Sequence, residues 1–118
     1  MKKVTILGST GSIGISTLDI IAKNPGKFKV TALAAGSNVK ELARQIIRFK
    51  PSVVAVRAKR DAQNLEKLTG ISKTRILYDE SGIEEVASNS SSDIVLSAIS
   101  GAAGLKPTMA AINAGKDI

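Results

Sequence analysis

Val4-Thr5-Ile6-Leu7-Gly8-Ser9-Thr10-Gly11-Ser12-Ile13-Gly14 decides the fold of this chain. Val4–Leu7 reads as a buried strand, and a helical pattern starts directly behind the glycines. Ser12 to Lys23 places Gly14, Thr17, Leu18, Ile21 and Ala22 on one face at helical spacing. Between the two, glycines let the backbone turn tightly and let an anion's oxygens approach its N–H groups without meeting a Cβ. The helix start adds unpaired N–H groups and the positive end of its dipole. Strand, glycine turn and helix together predict a site for a nucleotide diphosphate. The spacing is Gly-x-x-Gly-x-x-Gly, one residue longer at its first step than Gly-x-Gly-x-x-Gly. A glycine triplet alone also fits a surface turn; its place between a strand and a helix favours the dinucleotide reading.

Outward from that turn the strand–helix alternation continues. Asn24-Pro25-Gly26 stops the first helix, and Phe28–Ala35 is a near-continuous apolar run suited to burial on both faces. Asn38 with Glu41 three residues on resembles a capping box, followed by a stripe of Val39, Leu42, Ala43, Ile46 and Ile47. After Pro51, Val53–Val56 is a third strand, Arg60 to about Leu68 a helix, and Arg75–Tyr78 a short strand. Ser81 and Glu84 predict another capped helix. Asn89-Ser90-Ser91-Ser92 reads as a mobile surface loop without chemistry, and Asp93–Ile99 as the next central strand. Gly101–Gly104 precedes a helix with Pro107 in its first turn and Gly115 past its end. This order implies right-handed crossovers. The expected fold class is α/β, a Rossmann-type doubly wound, mainly parallel sheet with helices on both faces.

Composition bounds the function. With 118 residues, 43% of them hydrophobic, the chain makes one domain with a sizeable core. Aromatic residues are 3%, so Ile, Val, Leu and Ala fill it. The absence of cysteine and histidine removes disulfides, thiol chemistry and imidazole bases or ligands, and fits a reducing cytoplasm. The 17 basic residues outnumber the 10 acidic ones, giving a charge of +7. They are dispersed and hardly interleaved with aromatics, which argues against nucleic acid and fits a field favouring a phosphorylated ligand. Met1-Lys2-Lys3 begins no signal peptide, because the apolar run breaks at Gly8, and no stretch approaches the roughly 20 residues of a membrane span.

The second strand's end speaks to the cofactor. A carboxylate about 20 residues past the glycine turn binds the adenosine ribose in NAD sites. Leu33-Ala34-Ala35-Gly36-Ser37-Asn38 offers none, and Glu41 lies a turn into the helix, where capping explains it. The Ser37 hydroxyl, the Asn38 amide and nearby N–H groups suit a 2′-phosphate instead, which favours NADP.

Two blocks carry a resemblance. Ile6 to Gly14, then Ser16-Thr17-Leu18-Asp19 and Asn24-Pro25 before a Phe-x-Val strand, is similar to the 1-deoxy-D-xylulose 5-phosphate reductoisomerase family. Ala98-Ile99-Ser100-Gly101-Ala102-Ala103-Gly104-Leu105-x-Pro107-Thr108, with Ala110-Ala111-Ile112 and Ala114-Gly115-Lys116, resembles the same family. The resemblance implies an NADPH-dependent enzyme of non-mevalonate isoprenoid synthesis. Such an enzyme rearranges 1-deoxy-D-xylulose 5-phosphate and reduces the product to 2-C-methyl-D-erythritol 4-phosphate. It implies that Thr10, Gly11, Ser12 and Ile13 line the cofactor phosphates, and that Gly36, Ser37 and Asn38 surround the ribose and its 2′-phosphate. Family members often carry a basic residue where this chain has Ser37; Lys40 or the Arg57-Ala58-Lys59-Arg60 cluster are candidates to supply that charge, against a plain solvated loop. The family's Mg or Mn ligands and substrate-phosphate contacts match nothing before residue 118, so no catalytic or metal residue is assigned. Residues 1–118 are expected to be an NADPH-binding domain cut from a longer chain that takes a phosphorylated small molecule, with room for a homodimer. Two other readings stay open: an NADP-linked reductase of semialdehydes or acyl phosphates, and a binding module without catalysis.

Overall fold

A computed structural model describes residues 1–70, 73–88 and 92–98. Five strands, β1 (Lys2–Leu7), β2 (Phe28–Ala34), β3 (Val53–Val56), β4 (Arg75–Tyr78) and β5 (Ile94–Ser97), form one sheet in the order β4-β3-β2-β1-β5. Every pairing is parallel. Between them run α1 (Ser12–Ala22), α2 (Val39–Phe49), α3 (Lys59–Thr69) and α4 (Asp79–Ala87).

Chain direction explains where the helices lie. Three successive crossovers step from β1 towards β4, and a right-handed connection repeated in one direction deposits every helix on one face. Leu18 and Ile21 of α1, Leu42, Ala43 and Ile46 of α2, and Ala62 and Leu65 of α3 accordingly share a core with Val4, Ile6, Val30, Leu33, Val54 and Val56. From β4 the chain returns across the whole sheet to lie beside β1, so α4 falls on the opposite face. There Val86 and Ala87 pack with Leu7, Ala32, Ala34, Val53, Ala55 and Val95. The doubly wound expectation holds, and the order reverses between β1 and β5. In open α/β sheets that reversal opens a crevice outside the carboxyl ends of the strands.

One irregularity shapes the centre of the sheet. The β1–β2 register shifts between Val4 and Thr5, from Val4↔Val30 to Thr5↔Ala32, leaving Thr31 as an extra residue. Val30 and Leu33, three apart, therefore face the same core. The Thr31 hydroxyl donates to the Val4 carbonyl at 3.2 Å and lies 2.6 Å from the Ser92 hydroxyl, which also meets the Thr5 hydroxyl. Ser92 is 4% exposed. The expectation of a surface position for Ser92 is therefore wrong: three hydroxyls partner one another inside the fold, which is how buried polar groups are tolerated. Asn89–Ser91 lie outside the described residues, as do Ile99, the Gly101–Gly104 turn and the helix expected after it.

Two further expectations need correction. Ile47 is 61% exposed, and the position that α2 buries instead is Gln45. The helix expected to start at Ser81 starts at Asp79, with no side-chain cap. Asp79 takes a left-handed φ of 66° and its N–H donates to the Arg57 carbonyl at 3.2 Å, so the chain turns immediately after β4 and Ser81 falls inside the first turn. Gly82 then lets α4 lie close to the strand it follows: a Cβ there would stand 3.0 Å from the Leu77 Cβ.

Candidate functional site

All five strands point the same way, so the turns that follow them share one edge of the sheet. The turn after β1 is anchored from below. Gly8 N–H and Ser9 N–H both donate to the Ala34 carbonyl at the end of β2, at 2.7 and 3.0 Å. Gly8 has φ 84°, a conformation open chiefly to glycine. Gly11 N–H closes back on the Gly8 carbonyl at 3.2 Å, and Ile15 N–H on the Gly11 carbonyl at 2.9 Å. Gly11 is the N-cap of α1 and supplies no side chain; the amides of Ser12, Ile13 and Gly14 meet no acceptor among the described residues. Three unpaired N–H groups at the positive end of a helix are what an anion requires.

The glycines of this turn differ. A Cβ on Gly14 would stand 2.4 Å from the Gly8 carbonyl oxygen and 2.6 Å from the Ser9 Cα, both backbone atoms. A Cβ on Gly11 would meet only the Gly8 oxygen, at an ordinary 3.6 Å. Gly14 is needed for α1 to seat against the turn, whereas the fold has room for a side chain at Gly11. Gly11 is exposed, so its bareness leaves the anion's approach clear.

The turn after β2 sits alongside. Gly36 is half-buried, while Ser37 and Asn38 are exposed. Asn38 Oδ1 accepts from the Glu41 N–H at 3.3 Å, capping α2. Glu41 does not reach back to complete a capping box: its carboxylate oxygens lie 3.3 Å from Arg44 Nη1 and 3.4 Å from Gln45 Nε2. The structure thus brings Thr10, Gly11, Ser12 and Ile13 to the carboxyl end of β1 and Gly36, Ser37 and Asn38 to that of its neighbour β2. Neither turn carries a carboxylate.

Gln45 is the residue that sequence reasoning missed. Buried on α2, it donates through Nε2 to the Ser9 carbonyl at 2.9 Å and so ties the second helix to the glycine turn. Its Oε1 and the Ser9 hydroxyl are buried with no hydrogen-bond partner among the described residues. A polar residue lodged between Ala43 and Ile46 was the available signal. Elsewhere, a furrow of about 480 Å³ between α1 and α2 is lined by Leu18, Asp19, Arg44, Arg48 and Phe49, among others. Its charges already have partners, with Arg48 Nη1 3.4 Å from Asp19 Oδ1 and the same guanidinium 5.1 Å over the Phe49 ring. Among the described residues no three of His, Cys, Asp and Glu gather as a metal site would require, and no helix is long and apolar enough to cross a membrane.

Residues 4–118 match the protein family described as 1-deoxy-D-xylulose 5-phosphate reductoisomerase. The chain belongs to the 1-deoxy-D-xylulose 5-phosphate reductoisomerase family. The reductoisomerase of Geotalea daltonii is 52% identical over 118 residues, covering all of this chain and 31% of that protein. A chloroplastic reductoisomerase of Oryza sativa subsp. japonica is 52% identical over 119 residues, covering 99% of this chain and 25% of that protein. The chain thus spans under a third of the length of these reductoisomerases. Among solved structures, the Zymomonas mobilis reductoisomerase in complex with NADPH superposes with a TM-score of 0.91 at 37% identity, over 98% of this chain and 30% of that one. A reductoisomerase in complex with NADPH, fosmidomycin and magnesium gives 0.92 at 39%, over 98% of this chain and 29% of that one.

The other family-matching positions acquire structural roles. Asp19 pairs with Arg48 across α1 and α2, and Asn24 Nδ2 donates to the Ile20 carbonyl at 2.8 Å, closing the end of α1.

Proposed function

We propose that residues 1–118 are the NADPH-binding domain of a reductoisomerase that converts 1-deoxy-D-xylulose 5-phosphate to 2-C-methyl-D-erythritol 4-phosphate. The open N-terminus of α1 carries the reading: its first three amides lack protein acceptors among the described residues, and the residue before them has no side chain. In this reading Thr10, Gly11, Ser12 and Ile13 receive the cofactor's pyrophosphate through backbone N–H groups and the α1 dipole. Gly36, Ser37 and Asn38 take the adenosine ribose and its 2′-phosphate. The Asn38 Oδ1 is engaged in the cap, which leaves the amide Nδ2 as a donor. Bound there, NADPH supplies the hydride that reduces the rearranged aldehyde.

The reaction's divalent metal, Mg or Mn, and its substrate-phosphate contacts are assigned to segments outside residues 1–118. The substrate class is supported by the relative in complex with fosmidomycin and magnesium. A reducing, cytoplasm-like setting accords with the absence of cysteine.

The test is a titration of NADPH against NADH at one fixed salt concentration. Charge-assisted hydrogen bonds to the 2′-phosphate are worth roughly 2–3 kcal/mol net, so NADPH should bind about 30- to 150-fold more tightly. Equal affinities would sink the proposal.

A further inference from the structure

Ser37 brings no charge to the turn after β2, and among the described residues three of the chain's arginines already hold carboxylates. Arg44 is drawn to Glu41, Arg48 to Asp19 and Arg75 to Glu85. Arg57, exposed at the end of β3, forms no ion pair among the described residues. Its backbone is held on both sides. The Arg57 N–H donates to the Gly36 carbonyl at 3.3 Å, and its own carbonyl accepts from the Asp79 N–H at 3.2 Å. The cause is register: β3 pairs with β2 through Ala34↔Ala55, so the residue leaving β3 emerges beside the turn leaving β2.

We propose that Arg57 is the specificity-determining cation of this chain, neutralising the cofactor 2′-phosphate that Ser37 leaves without a charged partner. This rests on the NADPH reading above and names how the site tells NADPH from NADH. A fixed backbone with a guanidinium that meets no carboxylate among the described residues suits that role. The Cα stays beside Gly36, and the side chain supplies a planar fork of donors matched to phosphate oxygens. Lys40 is less well anchored, since it lies within the first turn of α2 with no backbone tie to Gly36. Lys59 and Arg60 follow on α3, beyond Ala58.

The experiment uses the natural full-length protein and titrates NADPH and NADH by nicotinamide fluorescence into wild type, Arg57→Gln, Arg57→Lys and Lys40→Gln. Glutamine keeps the backbone N–H and much of the side-chain length while removing the charge. Arg57→Gln should weaken NADPH roughly 10- to 100-fold and leave NADH within about 2-fold, with Arg57→Lys in between. The NADPH affinity of Arg57→Gln should also fall less steeply with salt than that of wild type. Parallel loss of both cofactors would mark a structural role and overturn the assignment, as would a full drop in Lys40→Gln with none in Arg57→Gln. Wild type binding the two cofactors equally would sink the NADPH reading itself, and this inference with it; a wild-type preference that survives in Arg57→Gln sinks this inference alone.

Discussion

At the residue scale, two glycines three positions apart do different work, and the distances say which. A Cβ on Gly14 would stand 2.4 Å from the Gly8 carbonyl oxygen, a backbone atom that cannot swing aside as a side-chain tip would. Gly14→Val is expected to cost about 1–3 kcal/mol or more through overpacking, lowering the denaturant midpoint. At Gly11 a Cβ would meet only one atom, at 3.6 Å, and the extended φ and ψ are ones that valine accepts, so the stability loss of Gly11→Val should stay below about 1 kcal/mol, the scale of an N-cap change. Its cost should appear in NADPH affinity, because the branched side chain would stand at the proposed pyrophosphate position. Equal destabilisation by the two substitutions would refute this division. The hydroxyl cluster of Thr5, Thr31 and Ser92 shows the same dependence on surroundings: a serine that looks like loop material in the sequence is a core residue once two threonines from other strands surround it.

At the element scale, the start of α2 combines a helix cap with a proposed ligand contact. Asn38 Oδ1 caps the Glu41 N–H, while the residue itself is exposed at the edge of the sheet. Asparagine and aspartate cap about equally well. Asn38→Asp should therefore keep stability within about 0.5 kcal/mol while setting a carboxylate beside the proposed 2′-phosphate position. NADPH affinity should fall and NADH affinity hold, read by titrating both cofactors alongside a thermal melt. A drop in stability with both affinities unchanged would show that the cap is all that Asn38 provides. The same helix shows where periodicity misleads. Ile47 fits the apolar stripe by spacing but is solvent-facing, while α2 turns Gln45 inward onto the Ser9 carbonyl.

At the scale of the whole molecule, the sheet order gathers both proposed binding turns on one edge, and the proposed reaction would be completed by segments outside residues 1–118. In the proposed reaction, rearrangement would need a metal to hold substrate oxygens, and hydride transfer would need the carbonyl beside the nicotinamide. Among the described residues no three potential ligands gather, and the chain covers 31% of the Geotalea daltonii relative. Residues 1–118 alone are expected to bind NADPH yet to oxidise none of it with 1-deoxy-D-xylulose 5-phosphate and Mg²⁺ or Mn²⁺. Losing substrate orientation alone forfeits on the order of 7–11 kcal/mol of barrier reduction. The readout is NADPH absorbance, compared with the full-length protein. Metal-dependent turnover by residues 1–118 would overturn the domain assignment, and silence from the full-length protein would favour a reductase of semialdehydes or acyl phosphates.

What the sequence alone determined is whatever depends on neighbours along the chain. Apolar runs bounded by turn residues, glycines between strand and helix, Asn38 ahead of an amphipathic stretch and Pro51 after it set the elements and their order. Glycine's freedom at φ 84° and the free amides of a helix start are local properties, so the glycine turn between β1 and α1 was legible as well. Only the tertiary structure decided how separate segments meet. The extra residue at Thr31, the burial of Ser92, the turn of Gln45 towards Ser9 and the tie between Arg57 and Gly36 each join residues 21 or more apart in the chain. Hydrogen-bond register between strands and rotation of a helix about its axis are settled by packing across those distances. Periodicity within one segment carries no record of them.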